Sequence, residues 1–108
     1  MFTQKEVEVM TLPYFNVIRA DNEEFEIQSK NTGHFWMILP EGKEYRLMHK
    51  YHQEDNYHVQ MYMPSVVDLV LDIINHDDYK LHGSRLNRLY STKEGEYFKK
   101  VAEKYCFS

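Results

Sequence analysis

Cysteine is almost missing from this chain: Cys106 is the single thiol in 108 residues. That excludes an intramolecular disulfide and any zinc site built on several thiolates, and it makes a reducing, cytoplasmic setting the default expectation. Glycine is scarce, at 4 residues, and none stands in a phosphate-loop or dinucleotide-binding array. The H-E-x-x-H pair of a zinc protease is missing too. No apolar run approaches the ~20 residues of a membrane-spanning helix, and no basic segment followed by an apolar one opens the chain. Starting at Met1 without tag, linker or low-complexity tract, the chain is expected to be complete. Positive charge is in deficit, with 13 Lys and Arg against 17 Asp and Glu, a net charge of −4 and a pI near 5.8. General nucleic-acid binders are basic, so phosphate binding is disfavoured and a protein partner, itself basic, fits better.

What the chain does contain is ordinary for a globular protein: 43% hydrophobic and 28% charged residues. Its length suits one domain over residues 1–108. Aromatic residues are abundant at 15%, with nine tyrosines and six phenylalanines. Because a tyrosine keeps one polar end in water or in a partner, the surplus points to a contact surface.

Along the chain, Thr3 and Glu6 have capping-box spacing and Pro13 stops whatever they start, which predicts a short N-terminal helix. Runs of β-formers follow at 14–20, 24–30, 34–39, 45–51 and 57–63, separated by short turn signals such as Asn31-Thr32-Gly33 and Pro40-Glu41-Gly42-Lys43. Links this short join antiparallel neighbours, so 14–63 reads as a five-stranded meander. Pro64 ends it, and Ser65 and Asp68 open a very apolar helix over 65–76 that belongs in the core. Ser91 and Glu94 begin a C-terminal helix at 92–106, and a short helix from Ser84 is possible between the two. The fold class is α+β.

Turn lengths propose a register. A three-residue loop at 31–33 sets Lys30 opposite His34, a four-residue loop at 40–43 sets Leu39 opposite Glu44, and the last turn sets His52 opposite Tyr57. Alternation then puts Phe25, Ile27, Phe35, Met37, Leu39, Met48, Val59, Met61 and Met63 on a core face packed against the 65–76 helix. The other face collects His34, Trp36, His49, Tyr51, His58 and Tyr62. Few charges and many large rings are what the centre of a partner-binding patch looks like. A terminal helix covering part of that face is the structural alternative.

Chemistry is thinly signalled. His34 and His49 face each other with His58 nearby, but no Asp or Glu joins them, so no metal and no cofactor are expected. Cys106 reads as a small buried thiol, and Ser65 and Ser91 as helix caps. Lys80, Arg85 and Arg88 lie in a stretch without acids and are the candidates for nucleic-acid contact, while Asp21, Glu23, Glu24 and Glu26 cluster at the first hairpin. The expected function is a small, acidic, non-enzymatic module that docks on another protein, with a homodimer as a further possibility. The alternatives are a nucleic-acid-associated protein using the basic segment and a small enzyme using His34, His49 or His58 as general base. In character alone, with no motif behind it, the chain is similar to the small acidic inhibitors of phages and mobile elements, anti-CRISPR proteins among them.

Overall fold

A computed structural model of the chain describes residues 1–83 and 92–106. The first helix, α1 (Gln4–Met10), starts where the capping spacing places it. Thr3 Oγ1 accepts from the Glu6 N–H at 3.1 Å, and Glu6 Oε1 accepts from the Thr3 N–H at 2.8 Å. Five strands follow: β1 (Phe15–Ala20), β2 (Phe25–Ser29), β3 (Phe35–Glu41), β4 (Glu44–Lys50) and β5 (His58–Met63). They form one antiparallel sheet in sequence order, the meander that the short links require. Two helices complete the order, α2 (Val66–His82) and α3 (Lys93–Cys106).

The register departs from the expectation at all three hairpins, and the one between β2 and β3 reverses the faces. Ser29, not Lys30, stands opposite His34: the Ser29 N–H donates to the His34 carbonyl, and the Gly33 N–H closes a four-residue loop onto the Ser29 carbonyl. Gly33 supplies the left-handed conformation that this loop needs, at φ 78°. Ile27 is thereby paired with Trp36 in place of Met37. One residue of slip turns the inward row of β3 outward, and its former outward row faces the core.

The next hairpin is tighter than expected. Glu41 pairs with Glu44 across Gly42-Lys43, with Gly42 at φ 64°, the first position of a two-residue turn that favours glycine. That is a shift of two residues, which preserves the faces. A bulge between β4 and β5 then places Met61 and Met63 with Leu47 and Tyr45 on one side, and Val59 and Tyr62 with Met48 and Arg46 on the other.

All three described helices cover the same face of the sheet. The core joins Phe15, Phe25, Ile27, Trp36, Ile38 and Leu47 from the strands to Val9 and Met10 of α1, to Val66, Leu69, Val70, Ile73 and Ile74 of α2, and to Val101 and Tyr105 of α3. Burying such side chains stabilises the fold by roughly 1.5–3 kcal/mol each. α2 is longer than the apolar run predicts, reaching His82 before Gly83 caps it at φ 72°. Its buried stripe runs Val66, Leu69, Val70, Ile73, Ile74 and on through Asp77 and Asp78, so the stripe outlasts its hydrophobicity. At α3, the Thr92 hydroxyl accepts from the Gly95 N–H at 2.9 Å. The possible short helix from Ser84 lies outside the described residues. Cys106 is exposed, contrary to the buried thiol expected.

Tyrosines tie segments distant in sequence to one another. Tyr14 donates to Asp77 (2.7 Å), Tyr45 to Glu6 (2.7 Å), Tyr57 to Glu26 (2.7 Å) and Tyr105 to Glu8 (2.8 Å). These four rings are internal fasteners, so the tyrosine surplus is in good part structural.

Candidate functional site

The expected partner-binding row is split. Trp36 is 0% exposed and His49 is 1% exposed, both beneath the helices, so neither meets a partner on the folded protein. The slip between β2 and β3 is the reason. His34 is half-buried and His58 is exposed at the same end of the sheet, with Tyr51 beside them at 43% exposure. Tyr62, at 44% exposure, lies on the opposite face.

What the fold assembles around Trp36 is a ring cluster. His49 stacks on the indole with centroids 4.2 Å apart, and Tyr51 meets both His34 and His49 edge-on at 4.7 Å. His34 Nδ1 and His49 Nε2 are 3.3 Å apart. From α2, His76 adds a third imidazole, 5.5 Å from His34 and 5.1 Å from His49 between centroids. Burial, followed by the neighbouring His76, His34 and His58, pushes His49 down to about 4. His34 is lowered for the same first reason.

A seam of carboxylates continues from this cluster along the last turns of α2. Asp77 and Asp78 are fully buried. Asp77 accepts from Tyr14 and from Thr32 Oγ1 (3.0 Å), and Asp78 accepts from Thr92 Oγ1 (2.7 Å). Glu94 of α3 accepts from Asn31 (3.1 Å) and meets His82 Nε2 at 2.8 Å. Burial pushes Glu94 up, yet the hydrogen bonds from His82 and Asn31 outweigh it and hold its pKa below the ordinary value. Against Tyr14, Asn31 and Glu94 opens a cavity of about 170 Å³ with Lys30 and Lys93 on its wall. His34, His49 and His58 do not line it.

The other side of the sheet carries a second feature. Phe35, Met37 and Leu39 of β3, Arg46, Met48 and Lys50 of β4, and Val59 and Tyr62 of β5 share it by pairing and alternation. None of these side chains joins the core cluster, and Val59 is 47% exposed. Tyr57 folds over one end of this face, where Lys50 sits 4.6 Å above its ring and 5.3 Å from that of Phe35. At the other end are the β1–β2 and β3–β4 turns, with Asp21, Glu23, Glu24, Glu41 and Glu44 against Arg19, Lys43 and Arg46. Arg19 is held by Asp21 (3.2 Å), Glu24 (3.6 Å) and Glu26 (3.8 Å), and Arg46 by Glu41 (3.3 Å).

Of the residues considered for nucleic acid, Lys80 is exposed and lies over the Tyr51 ring at 5.4 Å, while Arg85 and Arg88 lie outside the described residues. No described helix is long and apolar enough to cross a membrane. No protein-family model, curated protein or solved structure matches the chain. His76, Asp77 and Asp78 escaped the reading of the sequence. Their one signal was position, since His76 and Asp77 continue the Leu69, Ile73 spacing by three and four residues.

Proposed function

We propose that the protein is a non-enzymatic binding module that docks on another protein through the face of its sheet opposite the helices. The observation that carries this reading is the row Met37, Leu39, Met48, Val59 and Tyr62, which lies outside the core cluster with Val59 and Tyr62 close to half exposed. Five strands of five to seven residues at about 4.8 Å spacing present a face of roughly 20 by 20 Å, the size of a small, transient interface. Of the charges bordering its centre, Glu26 is engaged by Arg19 and Arg46 by Glu41 within the chain.

The partner presents an apolar patch flanked on one side by basic residues. The acidic turns at 21–24 and 41–44 border one end of the face and would meet them, steering the approach. Binding without chemistry suits an inhibitor, as small acidic products of phages and mobile elements often are, and the lone exposed Cys106 suits a reducing cytoplasm.

Val59→Asp combined with Tyr62→Ala tests the reading. A protein retained from the native host by the wild type, released more readily in salt, and lost by the double variant at unchanged melting temperature supports it. Retention by the folded double variant overturns it. So does a wild type that is dimeric in light scattering and made monomeric by the substitutions, because the occupant would then be a second copy.

A further inference from the structure

The histidine cluster lies on the helix-covered side of the sheet, away from the proposed docking face, and its geometry stands apart from that reading. His34 comes from the loop entering β3, His49 from β4 and His76 from α2, and one ring nitrogen of each lies within 4.8 Å of the other two. The His34 and His49 nitrogens are already 3.3 Å apart. Metal–nitrogen bonds of about 2.0–2.1 Å at tetrahedral angles set two ligand nitrogens about 3.3–3.4 Å from each other, so this pair meets the requirement without moving.

His76 packs edge-on against Trp36 and His49. Its Nδ1 is buried without a hydrogen-bond partner, and the nearest carboxylate oxygen, Asp77 Oδ1, is 3.8 Å away, too far for a bond. Buried imidazole nitrogens are normally satisfied. Drawing Nδ1 onto the other two nitrogens therefore breaks no hydrogen bond at that atom. Asp77 is itself fixed by Tyr14 and Thr32.

We infer that His34, His49 and His76 form a site for one divalent transition ion of the zinc class. Three imidazoles favour zinc, cobalt, nickel or copper over calcium and magnesium, which take oxygen ligands. Three protein ligands leave a fourth position to water or an outside donor. The sequence pointed away from a metal because no Asp or Glu joined His34, His49 and His58; the fold brings His76 of α2 to His34 and His49 as the third donor. The neighbouring group Asp78, His82 and Glu94 also converges within 4.8 Å, but two of its members are held from outside it, Glu94 by Asn31 and Asp78 by Thr92.

Titration of Zn²⁺ into the chelator-treated full chain by calorimetry tests the inference, with Co²⁺ as a visible-absorption probe. Binding of one equivalent, intense tetrahedral cobalt bands and shifted ring-nitrogen resonances for three histidines are the expected results. His34→Ala and His76→Ala should each weaken zinc binding at least about tenfold while the metal-free proteins keep the wild-type circular dichroism. Glu94→Gln should leave the affinity unchanged. Absence of stoichiometric binding overturns the site. So does binding that survives His34→Ala and His76→Ala but fails in Glu94→Gln, which would place the ion at the carboxylate group. The ring-nitrogen spectra of the unsubstituted protein decide the matter even if a variant does not fold, since unshifted imidazoles at saturating Zn²⁺ contradict the assignment.

Discussion

Trp36 lies almost parallel to His49 beneath α2, ring centroids 4.2 Å apart with an angle of 29° between planes, and its indole N–H donates to Ser29 Oγ at 3.0 Å. Stacking and hydrogen bond together fix which residues of β2, β3 and β4 look inward. The indole is thus a structural element of the core and the reporter of its register.

As the single tryptophan, Trp36 reports on itself. Native emission should be blue-shifted and poorly quenched by acrylamide, moving to the red on unfolding. Trp36→Ala should cost about 3–5 kcal/mol of stability. Ser29→Ala should cost about 1–3 kcal/mol by leaving the buried indole N–H without an acceptor. Solvent-like emission from the folded protein would contradict the inward placement.

Which side of the sheet is the core can be measured with a matched pair of truncations. Ile38 is fully buried and Val59 is close to half exposed on the opposite face. Ile38→Ala should lose about 2–5 kcal/mol in denaturant unfolding, as should Leu69→Ala beneath it in α2. Val59→Ala should stay within about 0.5 kcal/mol. The reverse order would restore the register in which Met37 and Val59 point inward.

The strands, their order and the capped starts of α1 and α2 were legible because each rests on local chemistry: turn residues, capping boxes and alternation. The choice of face was not. Phe35, Met37, Leu39 and Met48 make an apolar row as continuous as the one formed by Trp36, Ile38 and Leu47, so alternation marked two rows without saying which one α2 covers. The grouping of Trp36 with His49 came through, and only its direction was inverted. One extra residue in the loop closed by Gly33 decided it, a matter of turn geometry that composition does not encode. The carboxylate seam was hidden for a different reason. Asp77 and Asp78 look like the polar end of a helix until Tyr14, Thr32 and Thr92, distant in sequence, are seen donating to them.

Asp77 makes the seam testable. It is fully buried and takes hydrogen bonds from Tyr14 at 2.7 Å and Thr32 at 3.0 Å. Hydrogen bonds to a charged group contribute about 1.5–3 kcal/mol each. Tyr14→Phe should therefore destabilise by about that amount. In a cycle with Asp77→Asn, the double variant should lose less than the two single variants added together. Strict additivity would mean that the two side chains do not interact.

Alkaline pH should loosen the fold through the tyrosine–carboxylate bonds. Tyr45 is pushed up to about 12, first by its hydrogen bond to Glu6, then by burial and the Glu6 charge. Burial, and then Asp77, raise Tyr14; burial, and then the bond to Glu26, raise Tyr57. An unfolded tyrosine loses its proton near pH ~10, whereas these keep theirs in the folded chain. Above about pH 10 the unfolded state therefore binds fewer protons than the native one, and each further step in pH favours unfolding. The stabilisation is complete below about pH 10 and drains away as pH climbs through the raised values. Thermal melts should show the midpoint holding to about pH 9.5 and falling beyond it. Tyr45→Phe and Tyr57→Phe should each be less stable at neutral pH yet decline less steeply in alkali, which separates the tyrosine share from that of lysine. Tyrosinate absorbance of the native protein should rise late and sharpen at the unfolding step. An early titration of all nine tyrosines with the fold intact would show that Glu6, Glu26 and Asp77 do not hold these hydroxyls.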